Sequence, residues 1–241
     1  MVASGKAAST VESHAGGSVE ALSPVAAPPR RAQDRDALPV RLASGIEVDR
    51  IAGEVRVSGQ AALDEGWLEQ AVCLAGTREH ESLVVIDSPP RLVHAALLML
   101  GLEAGRPGSW RLEEDGETIR REPPTGSPIE LHVRFTRADG VETTVPLSSW
   151  VETARGGSVD AHPWRFAGSR LDARRDGGES YAADFSGSVV GLVTFGDEVI
   201  AYQEVRSDQV EIEEAGFLVR RGAPPPPGTP VTLIFRTPRA P

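Results

Sequence analysis

The chain has 241 residues, room for one large domain or two small ones, with 25 Lys plus Arg against 35 Asp plus Glu and a formal charge of −10. That balance is opposite to the basic surface that phosphate-backbone binding needs, so nucleic acid is not an expected partner. The single lysine, Lys6, leaves the body of the chain without a Schiff-base or phosphate-loop lysine, and the single cysteine, Cys73, excludes an internal disulfide or a multi-thiolate metal cluster.

Residues 1–45 are Ala, Ser, Gly and Pro with scattered charge, and no apolar run there offsets the entropy of ordering. A disordered tail is expected, with residues 23–31 (SPVAAPPRR) as a polyproline-like spacer. No apolar core of the secretory type follows Met1, so the sequence as written predicts an unexported chain, and no integral membrane segment is expected. From residue 46 onward 20 basic residues face 31 acidic ones. The acidity therefore belongs to the body, where it reads as a solvated, solubilising surface.

Short alternating or β-branched runs separated by Gly, Pro and Asp then dominate. Strands are expected over 46–51, 54–58, 68–74 and 83–86. Ser88 can cap the helix that follows, Pro89 suits its first position, and Gly101 offers a left-handed stop. The segment RLVHAALLML between them is apolar almost all round, which predicts a helix wedged against a sheet. Further strands are expected over 129–135, 141–145, 188–194, 199–202, 217–220 and 231–236, with a second short helix near 147–152. In IELHVRF the residues Ile129, Leu131, Val133 and Phe135 alternate with Glu130, His132 and Arg134, and Ala138-Asp139-Gly140 turns the chain into VETTV, a hairpin. The prolines 224–227 cannot pair in a sheet and should cross the surface. The fold expected is α+β: a mostly antiparallel sheet in one domain, 46–238, packing one apolar helix at about 89–101.

The polar clusters carry the candidate chemistry. Arg78, Glu79, His80 and Glu81 precede the apolar run LVVI, and His94 lies on the helix. His80, Glu81 and His94 have the side chains for acid–base work or ligation, but the H-E-x-x-H spacing of a zinc enzyme is not completed, and a turn that satisfies backbone groups accounts for the same residues. Asp160 and His162 in D-A-H-P-W, and Asp184 in AADFSGS, stand beside turns. With His80, Glu81 and His94 they form a small-ligand site only where their loops meet. No metal set and no cofactor are expected. Cys73, inside LEQAVCL, reads as a buried small hydrophobe. Ser169 follows a glycine but lacks the second glycine of a nucleophile elbow. The catalytic residues of any enzyme here stay unknown.

Four segments together resemble the YdjY-domain family: CLAGTREHESLVVIDSPPRLVHAALLMLGLEAG, WRFAGS from Trp164, YAADFSGSVV, and PPPPGTPVTLIF. The resemblance spans roughly residues 45–238. It implies a bacterial domain of no established biochemical function whose relatives, common in planctomycetes, often look exported or lipid-anchored. A ferredoxin-like label attached to that family does not transfer, because one thiol cannot ligate an iron–sulfur cluster. Two functional expectations follow. The first is a non-enzymatic binding or interaction module of the cell envelope, its partner a protein or small molecule of unknown identity. The second is a metal-dependent or hydrolase-like enzyme built from His80, Glu81, His94, His162 and Asp184.

Overall fold

A computed structural model of the chain describes residues 38–161, 163–209 and 211–238. The strands in the first third are β1 (Val40–Ala43), β2 (Ile46–Asp49), β3 (Glu54–Ala61), β4 (Trp67–Leu68), β5 (Gln70–Leu74) and β6 (Ser82–Ile86), followed by helix α1 (Pro90–Met99). Next come β7 (Ser109–Leu112), β8 (Ile119–Glu122), β9 (Pro128–Thr136), β10 (Glu142–Pro146), β11 (Val151–Thr153) and β12 (Trp164–Arg165). The last part holds β13 (Leu171–Ala173), β14 (Glu179–Tyr181), helix α2 (Ala182–Ser186), β15 (Ser188–Gly191), β16 (Ile200–Tyr202), β17 (Phe217–Val219) and β18 (Pro230–Arg236).

The main sheet closes on itself. Its strand order is β3–β18–β9–β12–β16–β15–β5–β6, and β6 pairs back onto β3 through Gln60↔Val85 and Ala61↔Val84. This eight-stranded barrel, with β1, β2 and β10 as extensions, overturns the expected α+β sheet packed on one helix. The physical reason is the far half of β3. Its first half pairs with β2, and beyond it Gly59 lets β6 approach: a Cβ there would stand 2.7 Å from the Val85 carbonyl oxygen. Closure leaves no open edge on those eight strands and turns their inward side chains into the core. Val57, Leu131, Val133, Leu233 and Phe235 are fully buried.

Helix α1 is therefore a buttress and not a rod at the centre. Val93, Ala96 and Leu97 are buried, and the helix packs against β1, β2, β3, β15 and α2. Leu98 and Met99 face solvent. Pro89 takes the N-cap position, while the Ser88 hydroxyl donates instead to the Ser44 carbonyl at 3.0 Å. Gly101, at φ 90°, ends the helix as its sequence predicts. Ser44 follows β1, which pairs with β2, so the stretch from Val40 onward is strand where tail was expected. Residues 1–37 of that expected tail lie outside the described residues.

The expected β9–β10 hairpin forms, with Glu142 opposite Thr136 and with Ile129, Leu131, Val133 and Phe135 buried. Near 147–152 a single 3-10 turn forms, Leu147–Trp150. The expected strand 68–74 is broken at Glu69: β4 joins β17 and β11 in a separate small sheet, while β5 enters the barrel. Two neighbouring barrel pairs are parallel, β5 with β6 and β15 with β16. A parallel pair cannot close with a tight hairpin. Two crossover loops result, 75–81 and 192–199, and they carry the polar residues.

Candidate functional site

The break at Glu69 builds a cleft. The Glu69 amide donates to the Glu81 carbonyl, and its own carbonyl accepts from the amides of Leu192 and Val193, so one residue ties both crossover loops together. Trp67, in β4 outside the barrel, is 53% exposed. The cleft, about 340 Å³, is lined by Trp67, Glu69, His80 and Glu81 from the first third of the chain and by Asp208 and Glu213 from the last, with Leu68 and Val193 as apolar lining. Its size fits a small ligand or one side chain of a protein partner.

Its electrostatics follow from crowding. Burial first, then the charge of Glu81 and a hydrogen bond to it, pushes the Glu69 carboxyl up to about 7. The Arg78 guanidinium works against this, 3.7 Å from Glu69 and 3.4 Å from Glu81. Arg78 also lies over the Phe195 ring at 3.9 Å, a cation–π contact that fixes the guanidinium from the second crossover loop. Across the cleft, burial opposes ionisation of Glu213, but the Ser207 amide, Arg206 and Arg121 outweigh it and hold that carboxyl below its ordinary value. Asp208 accepts from the Trp110 indole at 3.2 Å.

Of the residues expected to form a site, His80 and Glu81 line this cleft together, with His80 Nε2 3.7 Å from Glu81 Oε2 and the imidazole 78% exposed. His94, Asp160 and Asp184 do not line it. His94 is half-buried, its Nδ1 sharing contacts with the Tyr181 hydroxyl at 2.8 Å and the Gly168 carbonyl at 3.1 Å. Burial holds its pKa below the ordinary histidine value, partly offset by Gly168. Asp184 accepts from the Arg91 amide at 2.9 Å and the Arg91 guanidinium at 2.5 Å, joining α2 to the first turn of α1. Asp160 accepts from Gln203 at 3.4 Å. His162 lies outside the described residues. Among those residues no group of three or more His, Cys, Asp and Glu side chains is arranged to hold a metal ion.

Cys73 is fully buried, and burial pushes its thiol up despite hydrogen bonds from Ser82, Arg78 and Thr77. Ser169 stands at φ 59° with its hydroxyl donating to the Asp197 carbonyl at 2.6 Å and accepting from the Ala183 amide. Both serve the architecture. A larger groove of about 750 Å³ lies between the β9–β10 hairpin and the proline segment, lined by Phe135, Val145, Trp150 and Pro224. Arg137 is its one charged wall residue, and it shares no residue with the acidic cleft. Perturbed carboxyls beside an exposed aromatic make the smaller cleft the stronger candidate.

The sequence left Glu69, Asp208, Glu213 and Trp67 out of the site. Glu69 sits in a run that reads as continuous strand, and the facing wall lies more than a hundred residues away in the chain.

A closed barrel with an acidic cleft between the first crossover loop and the segment after β16 defines an architecture and no reaction. The family model for the YdjY domain matches residues 46–236, and the chain belongs to that family. No curated protein and no solved structure matches it. No helix among the described residues is long and apolar enough to cross a membrane.

Proposed function

We propose that this domain is a non-enzymatic binding module of the cell envelope and that the acidic cleft receives a cationic group, an ammonium or guanidinium on a small molecule or on a protein segment. The observation that carries this reading is the placement of solvent-exposed Trp67 beside Glu69 and Glu81, with Asp208 and Glu213 opposite. An indole face and carboxylates together stabilise a partly desolvated cation. The envelope setting rests on the family resemblance. A catalytic reading needs His80, Glu81, His94, His162 and Asp184 around one substrate; His80 and Glu81 share the cleft, His94 and Asp184 are engaged on α1 and α2, and His162 lies outside the described residues.

The test is a titration with a short oligo-lysine peptide, followed by tryptophan fluorescence. Saturable binding that weakens with salt and is lost in Trp67→Ala and in Glu81→Gln supports the reading. Equal binding by the parent chain and both variants, or no binding, contradicts it.

A further inference from the structure

The groove between the β9–β10 hairpin and the proline segment lies at one end of the barrel, where β9 finishes and β18 begins: Val231 pairs with Phe135, and Pro230 pairs with Gln60 of β3. Thr143 and Val145 of β10 stand opposite Phe135 and Val133. Cross-strand partners project to one face, so the face of β9 that fills the core continues onto β10 and lines the groove there. Trp150 packs edge-on against Phe135, ring centres 5.4 Å apart, and adds to the apolar lining. Pro224, Pro225 and Pro226, between β17 and β18, supply the rest of it.

This lining offers an occupant few hydrogen bonds. Prolines carry no amide hydrogen. The Ser149 hydroxyl donates to the Pro146 carbonyl at 2.7 Å and the Thr229 hydroxyl to the Pro226 carbonyl at 2.6 Å, so both protons are already engaged within the chain. A peptide laid in the groove would find few donors for its carbonyls, whereas a hydrocarbon chain needs none. At about 750 Å³ the space is of the size that small-molecule sites have.

The charge of the lining is as selective as its polarity. The chain carries a formal charge of −10, yet no Asp or Glu lines this groove. Its one charged residue is Arg137, exposed in the turn that follows β9, and that guanidinium makes no ion pair or hydrogen bond among the described residues. A guanidinium at the edge of an apolar groove matches a carboxylate through two parallel N–H···O bonds.

We propose that this groove binds a fatty-acid-type ligand, an unbranched hydrocarbon chain ending in a carboxylate, with the chain along Phe135, Val145, Trp150 and the prolines and the carboxylate on Arg137. It is a second site. It shares no residue with the acidic cleft and stands whether or not that cleft takes a cation.

The test is a calorimetric titration of the full chain with laurate and with dodecanol, each below its micelle-forming concentration. Laurate should bind saturably and about tenfold or more tighter than dodecanol. In Arg137→Gln, a change at an exposed turn, laurate should weaken to the dodecanol level while dodecanol stays within about twofold of the parent chain. No saturable binding of laurate, laurate no tighter than dodecanol, or a variant that binds laurate as the parent does would each overturn the proposal. The head-group comparison in the parent chain needs no variant, so it decides even if Arg137→Gln fails to fold. N-acetylated trileucine that binds more tightly than laurate would assign the groove to a peptide end and overturn the acyl ligand.

Discussion

Glu198, fully buried, and Glu69, half-buried, work against the pH trend of most carboxylates. Asp49, Glu79, Asp115 and Glu213 are held below their ordinary values, so they stabilise the fold above the unfolded pKa and lose that contribution as pH falls. Glu69 and Glu198, raised to about 7, do the reverse: their contribution is full below the unfolded value and is lost as pH rises through about 7. For fully buried Glu198 the span from 4.5 to about 7 corresponds to at most about 3 kcal/mol. The melting temperature of the parent chain should therefore drop between about pH 5 and pH 8 by more than that of Glu198→Gln; equal drops would contradict the burial argument. His94 has the opposite sign, since a histidine held below its ordinary value adds stability that disappears as pH falls. Replacing it by Leu deletes its contacts with Gly168 and Tyr181 and should cost about 1–2 kcal/mol in denaturant unfolding. Oligo-lysine binding should be unchanged in that variant, because His94 lies outside the cleft; a coupled loss of binding would refute this placement.

At the level of elements, the barrel strands other than β12 were legible, the short strands β1, β7, β8, β11, β13 and β14 were not, and neither was the closure. Ile129 to Phe135 and the turn at Ala138-Asp139-Gly140 carry their own hairpin signal, because period-two alternation and turn chemistry are local. Helix α1 was legible too, from an apolar run stopped by Gly101. What decides between an open sheet on a helix and a barrel is the pairing of Gln60 and Ala61 with Val85 and Val84, a contact that leaves no periodicity in either segment. Its one trace is Gly59, and a glycine within a strand has several readings. The break at Glu69 was hidden for the same reason, since Trp67 and Leu68 differ from Gln70–Leu74 in their partner and not in their pattern. Gly59→Ala places a methyl 2.7 Å from the Val85 carbonyl and should cost about 2–3 kcal/mol of stability. An unchanged unfolding midpoint would mean that β6 does not approach β3 this closely.

For the whole molecule, the fold brings the 67–81 stretch beside the segment between β16 and β17 that carries Asp208 and Glu213, and the cleft lies where they meet. Residues 67–81 supply one wall and residues 193–216 the rest, so the candidate site was visible in the sequence only as His80 and Glu81, the half that lies in one polar cluster. Glu198 was missed because Gly-Asp-Glu reads as a solvated turn, and only its burial shows otherwise. The carboxyls of Glu69 and Glu81 interact directly in that cleft. Carbon-detected NMR titration of the Glu69 carboxyl measures this: it should titrate near 7 in the parent chain and move toward its ordinary 4.5 in Glu81→Gln. A Glu69 that already titrates near 4.5 in the parent chain would show that the loops do not meet as described.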